Sequence, residues 1–107
     1  MEPSRQVLVL RETLSSILQL LGAHGDPGVL ARIDKLDADL AAGELGALNT
    51  VLAETTGSMG SLRDQVLLAA DGRTLSADAN DRLFGLVGSA ADQCREAMRH
   101  HGMHVWR

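Results

Sequence analysis

Two features of the sequence carry side chains that can act as nucleophiles: one cysteine and one serine-containing loop. Cys94 lies on the apolar stripe of the last predicted helix, where a buried thiol behaves as a small hydrophobic group and its thiolate is disfavoured. The loop Gly57–Ser61 lacks the Gly-x-Ser-x-Gly spacing of a nucleophile elbow, and no His or acid is placed to activate its serines. We therefore predict that the protein is not an enzyme. The catalytic alternative is an unrecognised site around Gly57–Asp64.

Histidines and glycines provide the candidates for metal and phosphate binding. His100 and His104 are four residues apart, a spacing that places two ligands on one face of a helix, and His101 lies between them. A glycine interrupts this helix, Glu96 is the only nearby acid, and there is no cysteine partner. The Gly/Ser loop has Ser61 where a nucleotide-binding loop needs lysine. We predict no metal site and no cofactor.

The composition disfavours several classes of partner. The net charge is −4 and the ten basic residues are scattered, whereas nucleic-acid binding needs a cluster of Lys and Arg. No segment has the roughly 20 consecutive apolar residues of a membrane span, and Arg11 and Glu12 interrupt the early apolar run. A single cysteine is typical of a reducing compartment. The expectation is a cytoplasmic protein that binds neither nucleic acid nor membrane.

Acidic residues are concentrated between positions 26 and 44, which hold five acids and two bases and so carry −3 of the total charge. One interpretation is a solvated helix with a Lys35–Asp39 pair, which contributes only tenths of a kcal/mol. The other is an acidic rim that binds Lys or Arg of a protein partner. The predicted contact residues on this stretch are Asp34, Asp37, Asp39 and Glu44, and Asp37 lies close to the edge of the apolar stripe, which is unusual for a purely solvated residue.

The elements that must position these residues are predicted to be helices. Leu and Ala dominate, Tyr is absent, and Phe and Trp occur once each, which favours helices over sheets. Apolar residues recur at spacings of three and four, with Ser or Asp at the predicted helix starts. The expected fold is an all-α, compact bundle of four to five helices with short antiparallel connections, forming one domain over residues 1–107 with 104–107 as a loose tail. The predicted helices are Ser4–Leu21, Asp26 to Gly43, Glu44–Thr56, Ser61–Ala69 and Ser76–His101.

One predicted element is ambiguous. Ser61 and Asp64 resemble a capping box, with Asp in place of the usual Glu or Gln, and this favours a short helix over Ser61–Ala69. The run Val66–Leu68 is also compatible with a short buried strand, because brief apolar runs do not distinguish the two.

The segment Thr56–Leu67 resembles the Gly-Met-Gly-Ser-Leu-x-Asp-Leu-Val-Leu signature of a family of small uncharacterised bacterial proteins. A weaker resemblance covers about residues 14–99, including Ala23–Asp26 and Asn80–Leu83. The chain departs from the signature at Ser58, where a second glycine is expected, and at Gln65, which replaces Leu. The resemblance implies an immunity or accessory protein encoded beside a bacterial toxin.

These observations predict a protein-binding module, most concretely an immunity protein that neutralises a basic toxin domain by direct binding. In addition to the acidic residues, the loop residues Ser58, Met59 and Arg63 are predicted to contact the partner. The alternative is a structural or regulatory homo-oligomer, in which an exposed helix face or Trp106 makes the contact between subunits.

Overall fold

Four α-helices follow the apolar periodicity of the sequence in the computed structural model, which describes residues 3–57, 61–69, 71 and 74–106. The all-α bundle prediction is confirmed. The helices are α1 (Arg5–His24), α2 (Pro27–Ala41), α3 (Ala47–Thr56) and α4 (Ala77–His100), with one 3-10 turn at Leu62–Asp64. At about 1.5 Å per residue α4 is about 36 Å long, so it spans most of the 44 Å length of the molecule.

Side-chain caps begin three of the four helices. Ser4, Asp26 and Ser76 each accept a hydrogen bond from a backbone N–H two or three residues later, which satisfies a group that the helix itself cannot pair. Helix α3 has no such cap and begins three residues later than predicted. Gly43, at a φ of 86°, ends α2, and the residues that follow make short turn-type hydrogen bonds before α3 begins.

Neighbouring helices run antiparallel. In each pair, a polar contact joins the first half of one helix to the second half of the other. Helix α1 packs on α2 and α4, and α3 packs on the same two helices, so the four close around one core. The cross-helix contacts are Arg11–Asp37 (α1 to α2), Arg32–Glu54 (α2 to α3), Cys94–Leu48 (α4 to α3) and Ser4–His101 (the start of α1 to the residue after α4).

The core is built from leucines and small residues on the inner face of each helix. Full burial of one leucine side chain typically contributes about 1.5–3 kcal/mol. Cys94 is fully buried among them, as the apolar stripe of α4 predicts. The largest fully buried side chains are Val7, Leu10, Leu14, Ile17, Leu21, Ile33, Leu40, Leu48, Leu52, Leu62, Leu67 and Met98.

The prediction of a helix over Ser61–Ala69 is wrong beyond its first turn. Only the 3-10 turn forms, and the Ser61 hydroxyl has no hydrogen-bond partner, so the capping box is absent. The chain then runs extended, and Leu68 forms one antiparallel bridge with Leu75. Val66 is 58% exposed, so the alternative of a buried strand holds only for Leu67. The cause lies outside the segment, since side chains of α1 and α4 bind its backbone.

The described part of the segment expected to be a loose tail, residues 104–106, lies against the bundle. The backbone N–H of Met103 donates to the Met98 carbonyl at 2.8 Å, and Met103 and Val105 pack against the core. The indole Nε1 of Trp106 donates to Asn49 Oδ1 at 3.1 Å. These contacts order residues 103–106. Among the described residues, every helix is too short or too polar to cross a bilayer.

Candidate protein-interaction surface

A groove of about 610 Å³ runs along α4 beside the C-terminal end of α3 and the 3-10 turn. We call it the α4 groove. Its α4 side includes Asp81, Phe84, Gly88, Ala91 and Arg95, and its opposite side includes Thr55, Thr56 and Arg63. The core residues Leu83 and Val87 also line it, so the groove is backed by the packed interior of the bundle.

Phe84 is the most exposed large hydrophobic side chain among the described residues, at 74%. It lies off the buried face of α4, which carries Leu83, Val87 and Ala90. An aromatic side chain that is buried removes roughly 150–250 Å² of surface from water. The exposed ring of Phe84 forgoes most of the stabilisation that this burial would provide. An aromatic side chain at the edge of a concave surface is typical of the anchor residues that protein partners bind.

Two glycines, Gly85 and Gly88, leave the surface of α4 without side chains next to the Phe84 ring. A Cβ atom added to Gly85 or Gly88 would meet nothing within 4 Å, so packing within this chain does not require glycine at either position. Each costs about 0.8–1 kcal/mol relative to Ala in a helix interior. What glycine provides at such a site is close approach of another backbone or ring.

The charges of the groove are separated along α4. Asp81, towards its N-terminal end, is exposed, and its carboxylate makes no hydrogen bond or ion pair with the described part of the chain. Arg95, towards the other end, donates to Asp92 at 3.2 Å. On the opposite side, Arg63 donates to the Thr56 carbonyl at 3.4 Å. The groove is therefore acidic at one end of its α4 side and carries the Asp92–Arg95 ion pair at the other.

The predicted acidic contact residues divide into two pairs. Asp37 accepts from Arg11 of α1 at 2.9 Å, which explains its position at the edge of the apolar stripe. Asp39 accepts from Lys35 at 3.0 Å, as the solvated-helix interpretation expects. Asp34 and Glu44 are exposed, and their carboxylates form no such pair among the described residues. Two of the four acids are thus neutralised internally, and two carry free negative charge.

Of the three predicted loop residues, the structure places Arg63 in the α4 groove. Ser58 and Met59 lie outside the described residues. Arg63 lines the α4 groove beside the C-terminal end of α3, where its guanidinium donates to the Thr56 carbonyl. Gly57 is required by packing, because a Cβ atom there would lie 2.0 Å from the Ser61 hydroxyl oxygen. The start of this loop is therefore a folding element that places Arg63 beside α4.

Glu54 is a structural residue that the sequence reasoning missed. It is 7% exposed, and its carboxylate accepts from the Arg32 guanidinium on α2 and from the Leu62 backbone N–H at 3.1 Å. The pair thereby connects α2, α3 and the 3-10 turn. Its signal was present in the sequence, since Glu54 follows Ala47 and Val51 at the spacing of the buried face of α3.

The candidate nucleophile Cys94 and the candidate ligand His101 both have hydrogen-bond partners within the chain. Burial raises the pKa of the Cys94 thiol to about 12, and the thiol donates to the Leu48 carbonyl at 3.1 Å. His101 is paired with the Ser4 hydroxyl at 2.9 Å. Within residues 3–57, 61–69, 71 and 74–106, no group of three His, Cys, Asp or Glu side chains is arranged to hold a metal ion.

Comparison with known proteins found no matching family model, curated protein or solved structure. The resemblance of Thr56–Leu67 to a bacterial family signature therefore stays a prediction from those residues alone.

Proposed function

We propose that this protein is a protein-binding module whose contact surface is the α4 groove. The observation that carries the proposal is the position of Phe84, a largely exposed ring at the edge of a groove backed by core residues. Truncating such an aromatic anchor usually costs a complex 2 kcal/mol or more, roughly 30-fold in affinity.

The chemistry of the groove favours binding over catalysis. The hydroxyls of Thr55 and Thr56 both donate to backbone carbonyls of α3, at 2.9 and 2.6 Å, so neither is paired with a general base. Among the described residues that line the groove there is no histidine and no cysteine. Charged groups at the rim and apolar groups at the centre follow the usual anatomy of a protein interface.

A more specific form of this proposal is an immunity protein that neutralises a bacterial toxin by direct binding. Its support is the free carboxylates of Asp34 and Glu44 together with the resemblance of Thr56–Leu67 to the family signature. A basic toxin domain would be steered by these charges, because unpaired surface carboxylates raise the local concentration of a cationic partner.

The test begins with capture of a partner by the immobilised protein, followed by reconstitution from purified components. The Kd is then measured by calorimetry for the wild type, Phe84→Ala and Leu8→Ala. Leu8 is the matched control, because it is a 45% exposed hydrophobic residue on α1, away from the groove. We expect Phe84→Ala to weaken binding about 30-fold and Leu8→Ala to leave it unchanged. Equal Kd values for all three proteins would overturn the proposal.

A further inference from the structure

The α4 side of the groove is arranged as a helix–helix seam. Asp81, Phe84, Gly88, Ala91 and Arg95 follow one another at spacings of three and four residues, so they form one stripe along α4. Positions 81, 88 and 95 are seven residues apart, as are 84 and 91. This is the heptad spacing with which one helix packs against another. Within the described chain Asp81, Phe84 and Gly88 are exposed, Arg95 is partly exposed, and Ala91 is buried in the lining of the groove.

The two ends of the stripe carry opposite charges. Asp81 and Arg95 are 14 residues apart, which corresponds to about 21 Å along the helix. If a second α4 lies antiparallel on the first, with a two-fold axis near Gly88, each Asp81 faces the Arg95 of the other copy. The same pair then forms twice, because a two-fold interface is self-complementary. A parallel arrangement would instead place like charges together.

The centre of the stripe fits such an arrangement sterically. Gly88 would lie on the two-fold axis, where a side chain would hold the two helices apart, and it has free space above it in this structure. Phe84 of each copy would lie over the region of Ala91 and Asp92 in the other. The exposed ring of one chain thus enters the groove of its mate, and the groove of about 610 Å³ has room for it.

We infer that the partner bound by the α4 groove is a second copy of this chain, packed antiparallel along α4. This inference rests on the proposed function. This one occupant pairs the free carboxylate of Asp81, covers the ring of Phe84 and brings Arg95 a carboxylate in addition to that of Asp92. The contact is narrow, so the dimer is reversible and its population depends on protein concentration.

Sedimentation equilibrium of the full chain at low salt tests the inference over about three decades of concentration. The wild type should rise from the monomer mass of 11.4 kDa towards twice that value. The variants Asp81→Arg and Arg95→Asp should each dimerise at least about tenfold more weakly, because each places two like-charge pairs in the interface. Phe84→Ser should remain monomeric. Arg5→Asp, an exposed charge reversal on α1, should behave as wild type.

Mixing the two single variants provides the decisive readout. Asp81→Arg carries arginine at both ends of the stripe and Arg95→Asp carries aspartate at both, so the mixture should form a heterodimer although each variant alone self-associates only weakly. A purely structural role for either residue does not produce this rescue, and thermal melting of each variant confirms that it is folded. The double variant Asp81→Arg/Arg95→Asp should likewise restore the homodimer.

The outcomes separate this inference from the proposed function. A wild type that stays monomeric throughout overturns the inference, and the proposed function then stands if a different protein binds in a Phe84-dependent way. A wild-type dimer that is unaffected by Phe84→Ser and by both charge reversals shows that subunits meet through another face, which overturns the inference and weakens the case for the groove. Loss of dimer in the single variants without rescue on mixing also overturns it.

Discussion

The side chain of Asn80 pairs with both backbone groups of Leu67: Oδ1 accepts from the Leu67 N–H and Nδ2 donates to the Leu67 carbonyl, each at 2.9 Å. The amide occupies the place that a neighbouring strand would take, and it fixes the extended segment to α4. His24 of α1 holds the next residue in the same way, through its ring nitrogen and its carbonyl. These contacts fix the extended segment that follows Gln65, a residue in the lining of the α4 groove.

Replacing Asn80 with alanine should lower the free energy of unfolding by about 1–3 kcal/mol, because the N–H of the buried residue Leu67 loses its acceptor. Urea denaturation monitored by circular dichroism measures the loss. Arg82→Ala is the matched control on an exposed position of α4, and we expect it to change stability by less than about 0.5 kcal/mol. Equal effects of the two substitutions would contradict the role given to Asn80.

Glu54→Gln should cost about 2 kcal/mol, because the buried carboxylate accepts from Arg32 and from the Leu62 N–H and a neutral amide serves both donors less well. The matched control is Asp34→Asn, which removes an exposed and unpaired carboxylate from α2. A double-mutant cycle with Arg32→Ala isolates the interaction. A coupling energy near zero would show that Glu54 acts only through Leu62.

The acidic residues of α2 and the following turn should separate into structural and steering groups. Asp37→Asn should lower stability by up to about 1 kcal/mol through loss of the partly exposed pair with Arg11, measured by urea denaturation. The double variant Asp34→Asn/Glu44→Gln should leave stability unchanged but slow association with a basic partner and flatten its salt dependence. An unchanged association rate, measured by stopped flow, would remove the steering role from these two residues.

The sequence was sufficient to predict elements whose determinants are local. Ser4, Asp26 and Ser76 act as helix caps at their predicted places because each contacts an N–H two or three residues away. The segment Ser61–Ala69 was not predictable in this way, since its conformation depends on Asn80 and on His24, 44 residues from its hydrogen-bond partner. A side-chain amide that replaces a strand leaves no periodic signal in the sequence.

The sequence also predicted only some of the residues that form the groove. Arg63 was predicted as a contact residue, and Phe84 departs from the apolar stripe of α4, a signal that a stricter helical projection would have detected. The concavity itself depends on where α3 ends relative to α4, which follows from tertiary packing. The pairing of Asp37 with Arg11 joins residues 26 positions apart, so the sequence showed the unusual placement of Asp37 and not its cause.

Cys94 should be unreactive in the folded protein. With a pKa near 12 instead of 9.0, about a thousandth of the thiol is ionised at pH 9 in the native state, against half in the unfolded chain. Alkylation by iodoacetamide should therefore follow unfolding. A rate in native buffer equal to that in urea would contradict the buried assignment.

The same shift predicts a loss of stability in alkali. The pKa of the Cys94 thiol is higher in the folded protein than in the unfolded chain. The free energy of unfolding therefore keeps the full contribution of this thiol below pH 9 and loses it as the pH rises from 9 towards 12. The slope approaches roughly 1.4 kcal/mol per pH unit. The chain has no Tyr and a single lysine, so few other side chains titrate in this window. Urea midpoints measured against pH should show the decline in the wild type and a smaller one in Cys94→Ala.

Phe84 is the only phenylalanine in the chain, so incorporation of 4-fluorophenylalanine labels the proposed contact with one fluorine nucleus. Fluorine NMR of this protein, recorded as its own concentration is raised and again with a captured partner, follows the ring directly. If the α4 groove is the binding surface, the resonance shifts and its H2O/D2O solvent shift falls as the ring leaves water for a protein surface. A resonance that keeps its position and its full solvent shift while the complex forms would contradict the proposal that Phe84 anchors binding.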